Sequence, residues 1–279
     1  MAERRPVIAP LAFSPLTRWQ RRLPAISLAG GLVAAVAAAE VCIAFVNAPL
    51  GLGLHVGILL WLLWHGSRTD QDDVRGMLFG LVIVPLIRIF SLCLPLDQFP
   101  STYWPALVMA PVLVSVWTAA RTAGYSLEEL GLTLPWPAPL WQLALLVPVG
   151  VALGALEYAI LQPTPAATSL APSTIWQPLV VLTLATGFGE ELVFRGLLQH
   201  ATMWRFGPLR SILLVTALFA CLHIGYRSAP DLALVFGAGL FFSYITWRSG
   251  SLAGAVITHA SVNISLFLLT PLLFAPLLS

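Results

Sequence analysis

Six polar residues combine side-chain types that move protons with spacings that set them side by side: Glu190, Glu191, Arg195, His223, His259 and Asn263. Glu191 and Arg195 lie four residues apart, so on a helix they share a face and can form an ion pair, while Glu190 points about 100° away. That arrangement frees Glu190 for chemistry. His259 and Asn263 repeat the four-residue spacing and can reach one small target together, and Phe219 with His223 repeats it again. A carboxylate can act as general base, and Asn with a protonated or suitably tautomeric His can stabilise a developing oxyanion. No serine or cysteine sits beside a base, which disfavours a covalent nucleophile. Glu190, His223 and His259 are also ligand types that zinc accepts, although no HExxH motif occurs. Each residue has a structural reading too: Glu191 with Arg195 as a plain ion pair, each His as a hydrogen-bonding link between helices.

The elements that must position these groups are apolar. The chain has 279 residues, 58% hydrophobic and 9% charged, against roughly 25% charged in soluble domains. A soluble globule of this length would lack the polar residues to cover itself, so the composition predicts one membrane-embedded bundle. Stretches near spanning length fall at about 24–46, 50–65, 77–95, 103–120, 139–161, 177–203, 209–225, 232–247 and 252–275. The second and eighth are short, so the expected fold is an all-α, polytopic transmembrane helix bundle of eight or nine spans. Glu190, Glu191 and Arg195 then sit in the sixth span, His223 in the seventh, and His259 with Asn263 in the ninth. Ionisable groups at the centre of a span cost at least about 2.5 to 3.5 kcal/mol each, and so call for a partner or a role. Glu40, Arg88 and Glu157 stand apart in other spans; Arg88 is expected to pair with one of the two carboxylates in a structural role. His55, His65 and His200 are expected at span ends.

Arginine placement tests the span order, because cytoplasmic loops collect positive charge. With a cytoplasmic N-terminus, the inner side receives Arg4, Arg5, Arg18, Arg21, Arg22, Arg68, Arg75, Arg121, Arg205, Arg210 and Arg248. Only Arg227 falls outside, and the loops at Asn47–Pro49, Leu96–Thr102 and Gln162–Thr174 hold no arginine. The first run, with Ala35 to Ala39, is too long for a signal-peptide core of about 7 to 15 residues and is read as a signal anchor. The Pro-rich stretch Gln162–Pro178 is the candidate boundary between two halves. In the inner segment Arg121–Trp136, Ser126 can cap a short amphipathic turn in which Glu128 and Glu129 suit a helix N-terminus. The formal net charge is +2 with no lysine, which argues against a nucleic-acid partner. Cys42, Cys93 and Cys221 lie in apolar runs without metal-like spacing and are read as core residues.

The polar set carries a resemblance. Glu190-Glu191-Leu-Val-Phe-Arg195, Phe219-Ala-Cys-Leu-His223 and His259-Ala-Ser-Val-Asn263 are similar, in order, to the EExxxR, FxxxH and HxxxN motifs of the CAAX protease and bacteriocin-processing (CPBP, or ABI) family of intramembrane endopeptidases. SLEELGL at Ser126–Leu132 and GLFFSYITWRSGSLAGAVITHASVN at Gly239–Asn263 also resemble that family, so the likeness covers about Arg121–Asn263. It implies residues 1–120 as N-terminal spans of unknown role and 121–279 as the catalytic bundle. It further implies that Glu190 and His223 activate a water, that His259 and Asn263 hold the oxyanion, and that Glu191 and Arg195 keep Glu190 poised. No cofactor and no metal is implied; the expected partners are a membrane-associated protein or peptide substrate and the lipid bilayer.

Two functions follow as expectations: an intramembrane glutamic endopeptidase, or a non-catalytic membrane scaffold or immunity protein of the same fold, with a zinc-dependent protease as a variant of the first. Abundant arginine and alanine without lysine suggest a bacterial inner membrane. At 1.5 Å per residue, Glu190 and His223 lie roughly 22 Å from the inner face and His259 roughly 12 Å. Straight parallel helices would keep them apart, so either a break at Gly187–Gly189 or a dipping loop at Ser249–Ser251 is expected.

Overall fold

The computed structural model describes residues 23–133 and 143–273 and is all-helical, with no strand among the described residues. Helix α1 (Leu23–Val41) continues as a π-helical turn, Cys42–Val46, and α2 spans Ala48–Arg68. The rod of α3 (Asp72–Leu81) and α4 (Ile83–Cys93) runs on through Val82, whose backbone is helical, and α5 spans Trp104–Ala123. After α6 (Leu146–Leu161), α7 (Pro172–Val181) passes through π-helical turns at Leu182–Glu190 and Leu192–Leu198 into α8 (Gln199–Phe206). Then follow α9 (Pro208–Cys221), α10 (Ala229–Ser249) and α11 (Ala253–Ile264), the last extended by a π turn at Ser265–Leu269.

Proline and glycine punctuate these rods. Proline lies in the first turn of α2, α5, α7, α9 and α10, where its missing N–H is an orphan in any helix. Glycines with positive φ follow α5, α8 and α10, at Gly124, Gly207 and Gly250, a conformation that costs glycine little. The Pro-rich linker is accordingly shorter than the sequence suggests, because Pro172 starts α7.

Among the described residues, seven helices are long and apolar enough to cross a membrane: Leu28–Val46, Ala48–Arg68, Asp72–Cys93, Ser101–Ala123, Pro208–Tyr226, Ala229–Ser249 and Ala253–Leu273. The second and eighth stretches, read from sequence as short, are both helices of 21 residues. The short one is instead α6, with 16 residues; the first residues of the fifth predicted span, from 139, lie outside the described residues. So do Arg4, Arg5, Arg18, Arg21 and Arg22. The sixth predicted span is present as the α7–α8 rod, too polar around Glu190–Arg195 to count among the seven. Leu60, Trp64, Val114, Trp117, Leu184 and Leu213 are exposed, as lipid-facing side chains should be. The apolar core runs from Leu32 and Val36 through Ile83 and Val112 to Leu218 and Phe219. Of the cysteines, only Cys221 is buried, while Cys42 is half-buried and Cys93 exposed.

Two local devices set the heights of the functional rods. Gly150 and Gly154 lay α6 directly on α11: a Cβ at Gly150 would strike the Thr258 carbonyl, and one at Gly154 the Val262 carbonyl. Small residues four apart permit this approach between membrane helices. The second device is the 124–133 segment. Ser126 and Glu129 form a reciprocal capping box: the Ser126 N–H and hydroxyl donate to Glu129 Oε2 at 2.8 and 2.9 Å, and the Glu129 N–H donates to Ser126 Oγ. The Ser126 backbone N–H is the main reason the Glu129 carboxyl is held below its ordinary range. From this turn the Gly131 carbonyl accepts from Leu252 N at 2.9 Å and the Thr133 carbonyl from Ser251 Oγ at 2.6 Å, closing the segment over the start of α11.

Gly154→Val is therefore expected to destabilise the protein by about 1 to 3 kcal/mol or more through overpacking. Gly53→Ala, which meets open space, should leave stability equal or slightly raised. Thermal unfolding of the purified protein in detergent checks both; equal melting of the two variants would contradict the close α6–α11 contact.

Candidate active site

The site is assembled where the α7–α8 rod meets α11. Gly187 makes the meeting close, since a Cβ there would lie 2.8 Å from the Ala260 Cβ. The break expected at Gly187–Gly189 as a remedy for the height mismatch does not occur. The rod is not broken at Gly187–Gly189 but wound with i→i+5 hydrogen bonds from Leu182 to Leu198, which packs more residues into each turn and shortens the advance per residue. The turn at Ser251–Leu252 is buried beneath the 124–133 segment.

Glu191 is the centre of the cluster. Its Oε1 accepts from Arg195 Nη1 at 2.9 Å and from His259 Nδ1 at 2.7 Å, and its side chain is fully buried. Arg195 spends its other donors on α10, with Nε to Ser243 Oγ at 3.3 Å and Nη2 to the Gly239 carbonyl at 3.2 Å. The guanidinium also lies 4.5 Å from the Phe219 ring centre and 5.4 Å from that of Phe242, contacts that favour a cation. Phe242 stacks on His259 at 5.3 Å, so one ring covers both partners of Glu191.

Glu190 is placed differently, with its side chain 25% exposed against 0% for Glu191. Its Oε2 lies 3.9 Å from His259 Nε2, beyond a direct hydrogen bond and within reach of one shared water. Because a carboxylate only accepts, the His259 proton must sit on Nδ1. Nε2 therefore donates only when the ring carries both protons. The tautomer left open by the sequence is closed by Glu191.

His223 lies two residues beyond the end of α9, and its Nδ1 donates to the Phe219 carbonyl at 3.0 Å. In the neutral ring this leaves Nε2 as the accepting nitrogen. The Phe219 ring lies between the two histidines, 4.8 Å from His223 and 6.0 Å from His259. No hydrogen bond or ion pair joins His223 to Glu190. Asn263, one turn beyond His259, donates from Nδ2 to Thr186 Oγ1 at 2.9 Å, which leaves its second N–H and its Oδ1 uncommitted. The structure thus brings Glu190, Glu191, Arg195 and His259 into one cluster, joins Asn263 to it through Thr186, and sets His223 across the Phe219 ring. Among the described residues no three His, Cys, Asp or Glu side chains converge as a metal site.

Several participants escaped the sequence reading. Thr186, Gly239, Phe242 and Ser243 carry no charge and gain meaning only through contact. Gly239 makes room for Arg195, whose Nη2 would lie 3.2 Å from a Cβ there. Glu157 does not pair with Arg88; it lies within electrostatic range of Glu190, His259 and the buried Asp231. Asp231 follows Ser228 at the start of α10, where the Ser-x-x-Asp spacing was the available signal. His55 is fully buried against Glu40 rather than at a span end, since a membrane carboxylate draws in every available partner.

Residues 172–265 match the family model of the type II CAAX prenyl endopeptidases, Rce1-like. The Rce1-like segment contains all three motifs and extends from the start of α7 to the first residue after α11, so it is the part of the chain that builds the cluster. It agrees with the resemblance carried by the motifs and, with the spanning helices, supports an intramembrane protease of the CAAX type. Comparison with curated proteins and with solved structures returned no match.

Arg195→Gln strands the buried Glu191 carboxylate and is expected to cost about 3 to 5 kcal/mol, the usual penalty for removing one partner of a buried pair. Glu190→Gln, at a partly exposed residue without a direct hydrogen-bond partner, should cost less than about 1 kcal/mol. Thermal unfolding in detergent measures the difference; equal losses would contradict the division of labour between the two carboxylates.

Proposed function

We propose that the protein is an intramembrane endopeptidase that hydrolyses a peptide bond of a membrane-anchored or amphipathic substrate with a water activated by Glu190. The observation that carries this reading is the unequal placement of two adjacent carboxylates: Glu191 is sealed from solvent with Oε1 held by Arg195 and His259, whereas Glu190 is partly exposed with Oε2 beside the His259 ring. Glu190, assisted by the accepting Nε2 of His223, takes a proton from the attacking water. The oxygen adds to the scissile carbonyl carbon, and the resulting oxyanion receives hydrogen bonds from the free N–H of Asn263 and from doubly protonated His259, whose charge Glu191 balances. Collapse breaks the C–N bond, and Glu190 returns the proton to the leaving amine. No cofactor is required for this sequence. The bacterial inner membrane is the proposed location, with a cytoplasmic N-terminus, and the arginine-free loops at Asn47–Pro49, Leu96–Thr102 and Gln162–Thr174 support that orientation.

Mapping of membrane-protein termini in cells carrying wild type or Glu190→Ala at matched abundance tests the proposal without presupposing a substrate. New termini present with wild type and absent with Glu190→Ala are the expected result. Identical maps would overturn the protease reading in favour of a non-catalytic scaffold.

A further inference from the structure

The N-terminal helices, which lie outside the Rce1-like segment, reach the site at the turn that carries His223. Arg88 of α4 makes the first contact: its Nη2 donates to the Leu222 carbonyl at 2.8 Å, one peptide unit before His223. That carbonyl lies at the end of α9, among those that helices leave without an internal partner. Arg88 is itself held by Glu40 of α1, with Nε 2.8 Å from Oε1 and Nη2 2.8 Å from Oε2. His55 of α2 closes on the same carboxylate at 3.1 Å, and Glu40 and His55 are fully buried. Side chains of three helices thus converge on the Glu40 carboxylate, and the Arg88 guanidinium spans from it to a main-chain oxygen.

A second contact grips the far side of the same turn. Arg227 follows the 3₁₀ turn Ile224–Tyr226, and its Nη2 donates to the Ala44 carbonyl in the π turn that prolongs α1. Glu40 and Ala44 are four residues apart on that helix, so α1 anchors both grips. Between them lie His223 and the 3₁₀ turn, with His223 N bonded to the Ala220 carbonyl and its Nδ1 to that of Phe219. Backbone on both sides of the histidine is therefore fixed by α1 and α4 rather than by the rods that bear the other site residues.

We propose that Arg88 and Arg227 are positioning residues for His223, through which the N-terminal helices set the height and direction of its ring at the site. This rests on the protease reading above. A displacement of about 1 Å in a reacting group can cost about 10²-fold in rate, so the loss of either grip is expected in turnover rather than in substrate binding.

The test uses the full-length purified protein in lipid nanodiscs and a peptide spanning a cut site found by terminal mapping. Arg88→Lys keeps the charge opposite Glu40, but a single ammonium cannot reproduce the fork that reaches both Glu40 and Leu222. It is expected to lower kcat by about 10- to 100-fold with KM within about twofold and the melting temperature nearly unchanged. Arg227→Gln, at an exposed residue outside the buried ion pair, should show the same signature with a smaller fall. It serves as the independent check should Arg88→Lys accumulate poorly. Turnover equal to wild type in Arg227→Gln and in folded Arg88→Lys, or losses that only track the folded fraction, would overturn the proposal. Equal rates for wild type and Glu190→Ala would instead overturn the protease reading, and the positioning role with it.

Discussion

A carboxylate with no access to water must find every partner inside the protein, and Glu191 imposes that demand on the whole C-terminal half. Its single oxygen Oε1 accepts from Arg195 on its own rod and from His259 on α11. Neither bond survives a shift of either helix by half a turn. The cation that answers it is buried as well, so Arg195 extends the demand to α10 through Gly239 and Ser243 and to two aromatic rings. An isolated buried charge is too costly to retain, whereas a paired one held by further hydrogen bonds can be kept, even though Glu191 Oε2 finds no hydrogen-bond partner among the described residues. Position is thereby imposed on His259 without any contribution from Glu190, and that separation is what makes Glu190 available.

Close approach between helices is the second requirement, and small residues supply it. Gly187 against Ala260, and Gly150 with Gly154 against the α11 backbone, bring three rods nearer than Leu or Phe would allow. The π-helical turns belong to the same solution. They fall at Leu182–Glu190 and Leu192–Leu198, either side of Glu191, and again just after Asn263, where a wider winding re-aims side chains that a regular α-helix would present elsewhere. The site is thus a product of backbone proximity first and of side-chain chemistry second.

Much of this was legible before the structure. Helical spacing alone paired Glu191 with Arg195, turned Glu190 aside and put His259 and Asn263 on one face, because i, i+4 relations survive even mild rewinding. Apolar run length located nearly all the rods, though it misjudged which were short, since proline and glycine move helix ends by several residues. What the sequence concealed was whatever depends on a second helix. Nothing in a linear reading distinguishes Glu40 from Glu157 as the partner of Arg88, and only packing buries His55 beside Glu40. The π winding was equally hidden, as no residue pattern in Leu182–Leu198 marks it.

Glu191 and His259 are tied into one unit by a 2.7 Å hydrogen bond between two buried side chains. A double-mutant cycle of Glu191→Gln and His259→Gln, read as unfolding free energy in detergent, measures that coupling directly. The structure predicts that the two losses are non-additive by about 1 to 3 kcal/mol, as for residues sharing one hydrogen-bond network. Additivity within about 0.5 kcal/mol would contradict the shared carboxylate and, with it, the reason Glu190 stands free.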